Sequence, residues 1–557
     1  MTNYEIADHF ALLSKLMDIH GEDSFRTKSY SIAAYNIERL PGEAAEMDDA
    51  TLASMKGIGA STAKRIRELL NTGKLQALED MLARTPPGIL DMLKIKGLGP
   101  KKIAVIWMEL GIESLGELEY ACNENRLVSL KGFGAKTQES VLQNIAYMKQ
   151  NAGFYLWAEA EAIAGAMLQQ LQARYPGNTF ALTGDVRRQC ETVEHIAIVT
   201  DVPAATLSVA FGDTEGVTVS HDDEALMTVT IPGQPKLHFH FTDAERFYRT
   251  LFETTGSEAF MTAFKEKYTL PDAPASEDEI FTANGLPVIP AMMRETAEVL
   301  QQPQSTFEGI IVPGDIKGII HSHSKWSDGV HTLEQMAIAA RDAGLEYLVI
   351  SDHSQTAVYA DGLKPERVAE QHQEIDALNA RLAPFRIFKS IESDILGDGS
   401  LDYADSVLAT FDLVIASVHS NLKMTEEKAM ERVLRAIRNP YTTILGHPTG
   451  RLLLSRKGYP LDHKTIIDAC KEHDVVIEIN AHPRRLDMDW RWIAYAQERG
   501  VLLSVDPDAH SIEGYRDTYY GVMVAQKGGL LRQNNLSSYT RAELEAFLEK
   551  NKEKRKG

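Results

Sequence analysis

Between residues 317 and 510 seven short apolar runs recur: GIIHSH, EYLVISDH, FRIFKSIESD, DLVIASVH, TTILGHP, VVIEIN and VLLSVDPDAH. Apolar stretches of this length without strict alternation predict strands covered on both faces, as in a parallel sheet. Between them, TLEQMAIAARDAG and KAMERVLRAIRN place apolar residues at helical spacing. Strand and helix in turn predict β/α units that form a parallel sheet or barrel. In a barrel the C-terminal strand ends converge on one face, where active sites form. Nearly every run here closes on His, Asp or Glu.

The first 150 residues follow a different rhythm. MKGIGASTAKRIREL, IKGLGPKKIAVIWMEL and LKGFGAKTQESVLQNI share one pattern. An apolar residue and Lys precede Gly-apolar-Gly, and an amphipathic helix follows. The glycine pairs are Gly57/Gly59, Gly97/Gly99 and Gly132/Gly134. Glycine permits the positive-φ turn between two helices, and the next helix then starts with backbone N–H groups aimed outward, a seat for phosphate. Each copy carries lysine nearby: Lys56; Lys96 with Lys101 and Lys102; Lys131 with Lys136. The pattern resembles the helix-hairpin-helix motif, which grips the DNA backbone without reading sequence. Ahead of it, SFRTKSYSIAAYNIERL puts Tyr30, Ala33, Ala34 and Ile37 on one helical face, with Arg26 and Lys28 open to phosphate or to solvent.

Composition narrows the class. The chain has 557 residues, 44% of them hydrophobic and 8% aromatic, as in ordinary globular protein. No apolar run of about 18 residues predicts a membrane span, and MTNYEIADHF carries no signal-peptide pattern. Three scattered cysteines, Cys122, Cys190 and Cys470, suggest neither a disulfide framework nor a zinc ribbon. A cytoplasmic location is expected. The net charge of −21 is uneven: residues 1–150 hold 18 Lys and Arg against 20 Asp and Glu, so the surplus of acid lies beyond them. Nucleic acid therefore stays open as a partner, since phosphate contacts need local donors and the overall sign does not decide them.

The middle of the chain contains GDVRRQCETVEHIAIV and, later, TTGSEAF. With the hairpins ahead of it, this layout resembles the bacterial family X DNA polymerases. In that family the turn reads Gly-Ser-x-Arg-Arg, an Asp-x-Asp pair follows, and a third Asp sits on a later strand. Gly184, Arg187 and Arg188 match here, while Asp185 replaces the Ser. The Asp-x-Asp pair falls on His195 and Ala197, and the third Asp on His238 of KLHFHF. Two metal ions need those acids to align a primer end with a triphosphate. Glu191 and Glu194 precede the strand and miss the i, i+2 spacing. The resemblance thus implies a nucleotidyltransferase palm without polymerase activity. His195, His238 and His240 either build a different metal site or, the preferred reading, stay as scaffold histidines, packed or facing solvent. The family's Schiff-base lysine aligns with Arg65, which stays protonated and forms no imine. Lys64 beside it points about 100° away on a helix.

The strand ends of the C-terminal half collect His321, His323, Asp328, His353, Glu392, His419, His447, Asp508 and His510. His321 and His323, two apart on a predicted strand, point to one side. Six imidazoles and three carboxylates suit zinc, manganese or iron. The set is similar to that of the polymerase and histidinol phosphatase (PHP) domain, a distorted seven-stranded β/α barrel around three metals. The resemblance implies that His321, His323, Glu392 and Asp508 hold one ion. Glu392 would bridge to a second held by His419 and His447, and Asp328, His353 and His510 would hold the third. Manganese is the favoured activator, with zinc or iron as alternatives. Relatives often have Asp two residues before the first His, where this chain has Ile319.

A phosphodiester resists hydrolysis because its anionic oxygens repel the attacking hydroxide, and adjacent metals neutralise that charge. Glu392 and Asp508 are then the expected catalytic carboxylates. Lys325, Arg451, Arg484 and Arg485 are candidate cations for the phosphate, Arg451 foremost, and Asn480 and His482 candidates for the mouth of the site. The expected organisation is multidomain α+β and α/β. A helical DNA-binding domain (1–80) is followed by a second helix-hairpin-helix domain (81–150), a degenerate palm (151–300), a linker (301–316) and the PHP domain (317–557). The last eight residues, KNKEKRKG, read as a frayed tail. The expected activity is that of a metal-dependent phosphoesterase acting on DNA; the resemblance implies 3′-to-5′ exonuclease activity, extending to cleavage at abasic sites, in DNA repair. A small-molecule phosphatase, a polymerase with unorthodox ligands and a non-catalytic DNA scaffold are the alternatives. Oligomeric state is left open.

Overall fold

The computed structural model describes every residue except 124, 125, 129, 131, 151, 213, 222, 224, 556 and 557. Two compact units divide it, Met1–Ala152 and Gly153–Gly557.

The first unit is helical. Its two leading helices, Asn3–Ile19 and Ser24–Glu38, bury Ile6, Phe10 and Leu13 against Tyr30, Ala33 and Ile37. One apolar cluster runs from Ile6 to Ile145. The expected division at residue 80 therefore does not separate two cores, because the second set of hairpin helices completes the packing of the first.

The glycine pairs divide their work. At the first hairpin Gly57 has φ +76°, and a Cβ there would lie 2.2 Å from the Asn36 side chain. Gly97 and Gly132 have φ of +85° and +87°. The second member of each pair, Gly59, Gly99 and Gly134, departs from the expected positive-φ role. None of the three has positive φ, and a Cβ on any of them would meet nothing within 4 Å. The first glycine has already made the turn, so the second is ordinary backbone entering a helix. Gly59 and Gly99 open the helices Ala60–Thr72 and Pro100–Leu110 without a side-chain cap; Pro100 carries no N–H, and the Lys102 amide donates to Gly99 O at 2.9 Å. Gly134 opens Ala135–Gln150, and its carbonyl accepts from the Thr137 and Gln138 amides at 2.9 and 3.1 Å. Lys101 and Lys136 are exposed, and the Lys102 ammonium stands 5.6 Å from the centre of the Phe133 ring. Lys131 lies outside the described residues.

The second unit holds all fourteen strands found among the described residues. The first seven are β1 (Tyr155–Leu156), β2 (Phe180–Thr183), β3 (Thr192–Val193), β4 (His195–Thr200), β5 (Thr218–His221), β6 (Leu226–Thr230) and β7 (Lys236–Phe241). Five of them form a mixed sheet in the order β2-β4-β7-β6-β5, with β4 and β7 parallel and Ala197 opposite His238. The other two, β1 and β3, pair with each other.

The remaining strands are β8 (Gly318–Ile319), β9 (Tyr347–Ile350), β10 (Arg386–Asp394), β11 (Leu413–Ser417), β12 (Ile444–Leu445), β13 (Val476–Asn480) and β14 (Leu503–Asp506). They correspond one to one to the seven apolar runs and are parallel throughout, in the order β14 to β8. The ends approach closure through a parallel bridge between Ser322 and Ala509. Strand β8 is shorter than expected. His321 lies beyond it with φ +62°, so His321 and His323 belong to the rim loop and flank the closing bridge.

Palm and barrel share a core. One cluster joins Trp157, Ile196 and Phe239 to Ile391, Val414 and Val524, so the expected linker 301–316 does not separate two independent cores. Of the eight residues expected to fray, 556 and 557 lie outside the described residues, while 550–554 continue the helix Arg541–Lys554. A capping box between Thr540 and Glu543 starts it, Leu544 and Leu548 bury into the barrel, and the Lys552 ammonium lies 2.9 Å from Asp412. Among the described residues no helix is long and apolar enough to cross a membrane.

Candidate metal centre

All nine barrel residues singled out in the sequence meet at the rim. Ligand atoms of His321, His323, Glu392 and Asp508 lie within 4.8 Å of one another, as do those of His323, Asp328, His353 and His510, and those of His353, Glu392 and His419. Glu392, fully buried at the end of β10, belongs to two of these groups. Its Oε1 is 3.0 Å from Nε2 of both His419 and His447, and its Oε2 is 3.0 Å from Nδ1 of His353. The second group thus differs from the expected one, because His353 completes it and His447 stands beside it.

Local backbone conformation turns these side chains inward. His321, His447 and Asp508 all have positive φ (62°, 21° and 53°). Left-handed backbone at a non-glycine residue persists where the surroundings over-determine it, typically at functional sites. Here the His323 amide donates to Ala509 O at 2.8 Å, and the Ala509 amide to His321 O at 3.2 Å. Closing the barrel therefore sets the ligands at both ends of the chain's circuit.

Carboxylates missing from the sequence reading support the ligands from behind. Glu478 on β13 accepts from His321 Nδ1 at 2.5 Å and from the His447 amide at 3.0 Å. Asp394, two residues after Glu392 on β10, pairs with His419 Nδ1. Asp352 is fully buried and accepts from the Ser324 amide and hydroxyl, both at 2.8 Å, and from the Ser327 hydroxyl at 2.6 Å. It thereby fastens the loop that carries His323 and Asp328. Asn480 reaches Asp508 Oδ2 at 3.1 Å. Partners of this kind fix the orientation and tautomer of metal-ligating groups. An acid inside an apolar run, as in VVIEIN, was the available signal.

The electrostatics suit bound cations. Isolated buried carboxylates cost several kcal/mol each, yet burial is outweighed at Glu392 by His419, His321 and His353, and its carboxyl sits well below the usual range. Asp508 is held low in the same way by His321 and His323. Burial opposes protonation of His419, but Glu392 and Asp394 push it up to about 10. Burial together with His510 and His353 pushes His323 down to about 3. Among the described residues, His321 Nε2 and Glu392 Oε2 are shielded from water without a hydrogen bond. A convergent set of nitrogen and oxygen donors with such orphaned atoms fits divalent transition metals.

The Arg451 guanidinium is turned to the loop after β13 and not to the nine-residue cluster. It donates to Arg485 O at 2.9 Å, to Asp489 at 2.8 Å and to Leu486 O, because the loop after β13 folds over it. Arg485 is the cation at the cluster, 3.9 Å from Asp508 Oδ2. Lys325 is exposed on the rim loop, and His482 and Arg484 line a groove of about 310 Å³ with Leu156 and Asp517.

The palm is arranged differently. Arg187 pairs with Glu277, and Arg188 with Asp185 and, at 2.8 Å, with Glu295. The His195 and His238 rings stack with centroids 4.0 Å apart. Ala197 is the register partner of His238 across β4 and β7, and Gly184, at φ +60°, would bring a Cβ to 3.4 Å from the Ala197 methyl. Among the described residues, no group of three metal-type ligands forms here.

Known proteins resemble both halves. A helix-hairpin-helix domain matches residues 1–75, and a SAM-like helix-hairpin-helix tandem matches residues 89–145. A "probable phosphatase" of Caldanaerobacter subterraneus subsp. tengcongensis is 28% identical over 209 residues, 34% of this chain and 76% of that protein. Another, from Vibrio parahaemolyticus, is 27% identical over 244 residues, 41% of this chain and 92% of that protein. The "DNA polymerase/3'-5' exonuclease PolX" of Bacillus subtilis is 34% identical over 556 residues, 96% of this chain and 97% of that protein. With hairpins, palm and barrel all spanned by that alignment, the chain belongs to the bacterial PolX family, the family X DNA polymerases with a C-terminal PHP domain.

Proposed function

We propose that this protein is a DNA-binding, metal-dependent phosphoesterase that removes nucleotides from 3′ ends, and that its palm does not polymerise. The observation that carries the reading is Glu392, a fully buried carboxylate shared between donor groups at the rim of a near-closed barrel. Divalent ions, with manganese favoured and three in number, would be held by the nine residues and would neutralise the phosphodiester and activate water. The chain's own groups do the rest. Glu392 and Asp508 hold the donor sets together, Glu478 and Asp394 keep His321 and His419 oriented, and Arg485 faces a non-reacting phosphate oxygen. The hairpin amides and Lys101, Lys102 and Lys136 grip the backbone without reading bases. The PolX relative is named for both polymerase and exonuclease, and the loss of all three palm carboxylates supports retention of the second activity alone.

The test is release of labelled nucleotide from 3′-recessed duplex with manganese, comparing wild type with Glu392→Ala. Release by wild type and none by the variant is expected. No release by wild type overturns the reading. The phosphatase-like relatives favour one second reading, hydrolysis of a small phosphomonoester. Phosphate release from such a substrate, exceeding nucleotide release from DNA, would establish it.

A further inference from the structure

Glu191 belongs to the palm by sequence, between the Arg187-Arg188 turn and β3, yet its carboxylate serves the barrel. Its side chain is 10% exposed. Its Oε1 lies 3.2 Å from Arg491 Nη1 and 3.7 Å from Arg451 Nη2. Its carbonyl accepts from the Trp157 amide at 3.1 Å, and the Trp157 ring is anchored in turn by its indole N–H, 2.8 Å from Val186 O. The palm therefore holds this carboxylate rigidly.

Arg451 passes that position on. All of its described hydrogen bonds except one from its own amide go to the loop after β13, at Arg485 O, Leu486 O and Asp489. The loop has further ties: Asp487 accepts from the Thr449 amide and hydroxyl, both at 3.0 Å, and the Leu453 amide donates to Arg484 O at 2.6 Å. Its functional tip is Arg485, whose Nε stands 3.9 Å from Asp508 Oδ2. A continuous chain of charged and hydrogen-bonded groups thus runs from Glu191 through Arg451 and Arg485 to Asp508.

We propose that Glu191 is a positioning residue for the barrel reaction: acting through Arg451, it fixes where the Arg485 guanidinium meets a non-reacting oxygen of the DNA phosphate. The inference rests on the phosphoesterase reading. It gives the palm a task in a reaction that takes place elsewhere, and it accounts for an acid beside the polymerase-like turn that points away from the palm sheet. Small misplacements of a phosphate-gripping group cost rate, up to about 10²-fold per ångström.

The experiment uses the full chain loaded with manganese and a 3′-recessed duplex, in a double-mutant cycle of Glu191→Gln and Arg485→Ala. Glu191→Gln should lower kcat about tenfold with KM changed less than about twofold, and with bound manganese unchanged. Against the Arg485→Ala background it should cost nothing more, since the two act through one contact. Glu191→Asp, which keeps the charge, should recover part of the rate and serves as the comparison if the glutamine variant does not fold. A crystal structure of the variant should show the Arg485 guanidinium displaced from Asp508. Losses that multiply in the double variant, an unchanged kcat in Glu191→Gln, or Arg485 still in place in the variant crystal would each overturn the inference while leaving the phosphoesterase reading intact. Absence of activity in wild type would remove both.

Discussion

The imidazole of His321 rests with Nδ1 2.5 Å from Oε2 of Glu478, a fully buried carboxylate outside the nine-residue set. The bond leaves Nε2 to face Glu392 and Asp508, at 3.3 and 3.4 Å. Glu478→Gln keeps the shape and removes the charge. It should weaken metal binding about 10- to 100-fold, the usual effect of losing such a supporting partner. Competition with a chelator of known affinity measures it, and unaltered affinity would show that Glu478 is not part of the site.

Metal loading should release protons. In the metal-free protein burial opposes charge at His419 and His510, but Glu392 and Asp394 push the first up to about 10, and Asp328 and Asp508 push the second up to about 9. Both values lie above the ordinary histidine value of about 6.5. The stability these groups contribute without metal is therefore complete below about pH 6.5 and is lost as pH rises towards 9 and 10. Ligating histidine must be neutral, so manganese affinity should climb over the same interval. Calorimetric titration at pH 7.5 in buffers of different ionisation enthalpy reads the released protons directly. Identical heats in all buffers would contradict the paired imidazolium arrangement.

Primer extension with labelled nucleotide and manganese should yield no product. Arg187 is occupied by Glu277, Asp185 by Arg188, and Ala197 offers no ligand. Releasing Arg187 by Glu277→Gln should not restore extension, because a cation for triphosphate is useless without carboxylates for metal. A ladder of extended primer would contradict this.

DNA affinity should depend on the hairpin turns. Gly97→Val forces a branched residue to φ +85°, and the strained turn should lower affinity for duplex about tenfold, a loss of about 1.4 kcal/mol. Lys101→Ala should weaken binding uniformly across sequences and reduce the slope of log affinity against log salt by about one. Fluorescence anisotropy at several salt concentrations checks both. An unchanged slope would place Lys101 away from the phosphates.

Much of the barrel was legible because its signal is local. Each strand announces itself as an apolar run, and ligands at strand ends need only the rule that such ends converge. Nine residues scattered over about 190 positions could thus be placed in one site. The supporting carboxylates were only half legible: an acid inside an apolar run such as VVIEIN signals burial, but which histidine Glu478 backs is not visible until β13 is seen beside β12 and β14. Arg451 was misjudged for a related reason: a rim arginine suits phosphate or backbone carbonyls equally, and only the folded loop after β13 reveals which. The expected strand position of His321 and His323 failed because the barrel closes through Ser322, which takes the backbone off the strand path. The expected break after residue 150 falls two residues from the observed division, whereas shared cores across residue 80 and across 301–316 were not legible, because apolar spacing along a segment does not say which segment will cover it.

Trp157, Ile196 and Phe239 share one apolar cluster with Ile391, Val414 and Val524. A cut between residues 300 and 317 would therefore pass through common interior and expose greasy faces on both fragments. Discarding the palm would also discard part of the packing on which the barrel's fold rests.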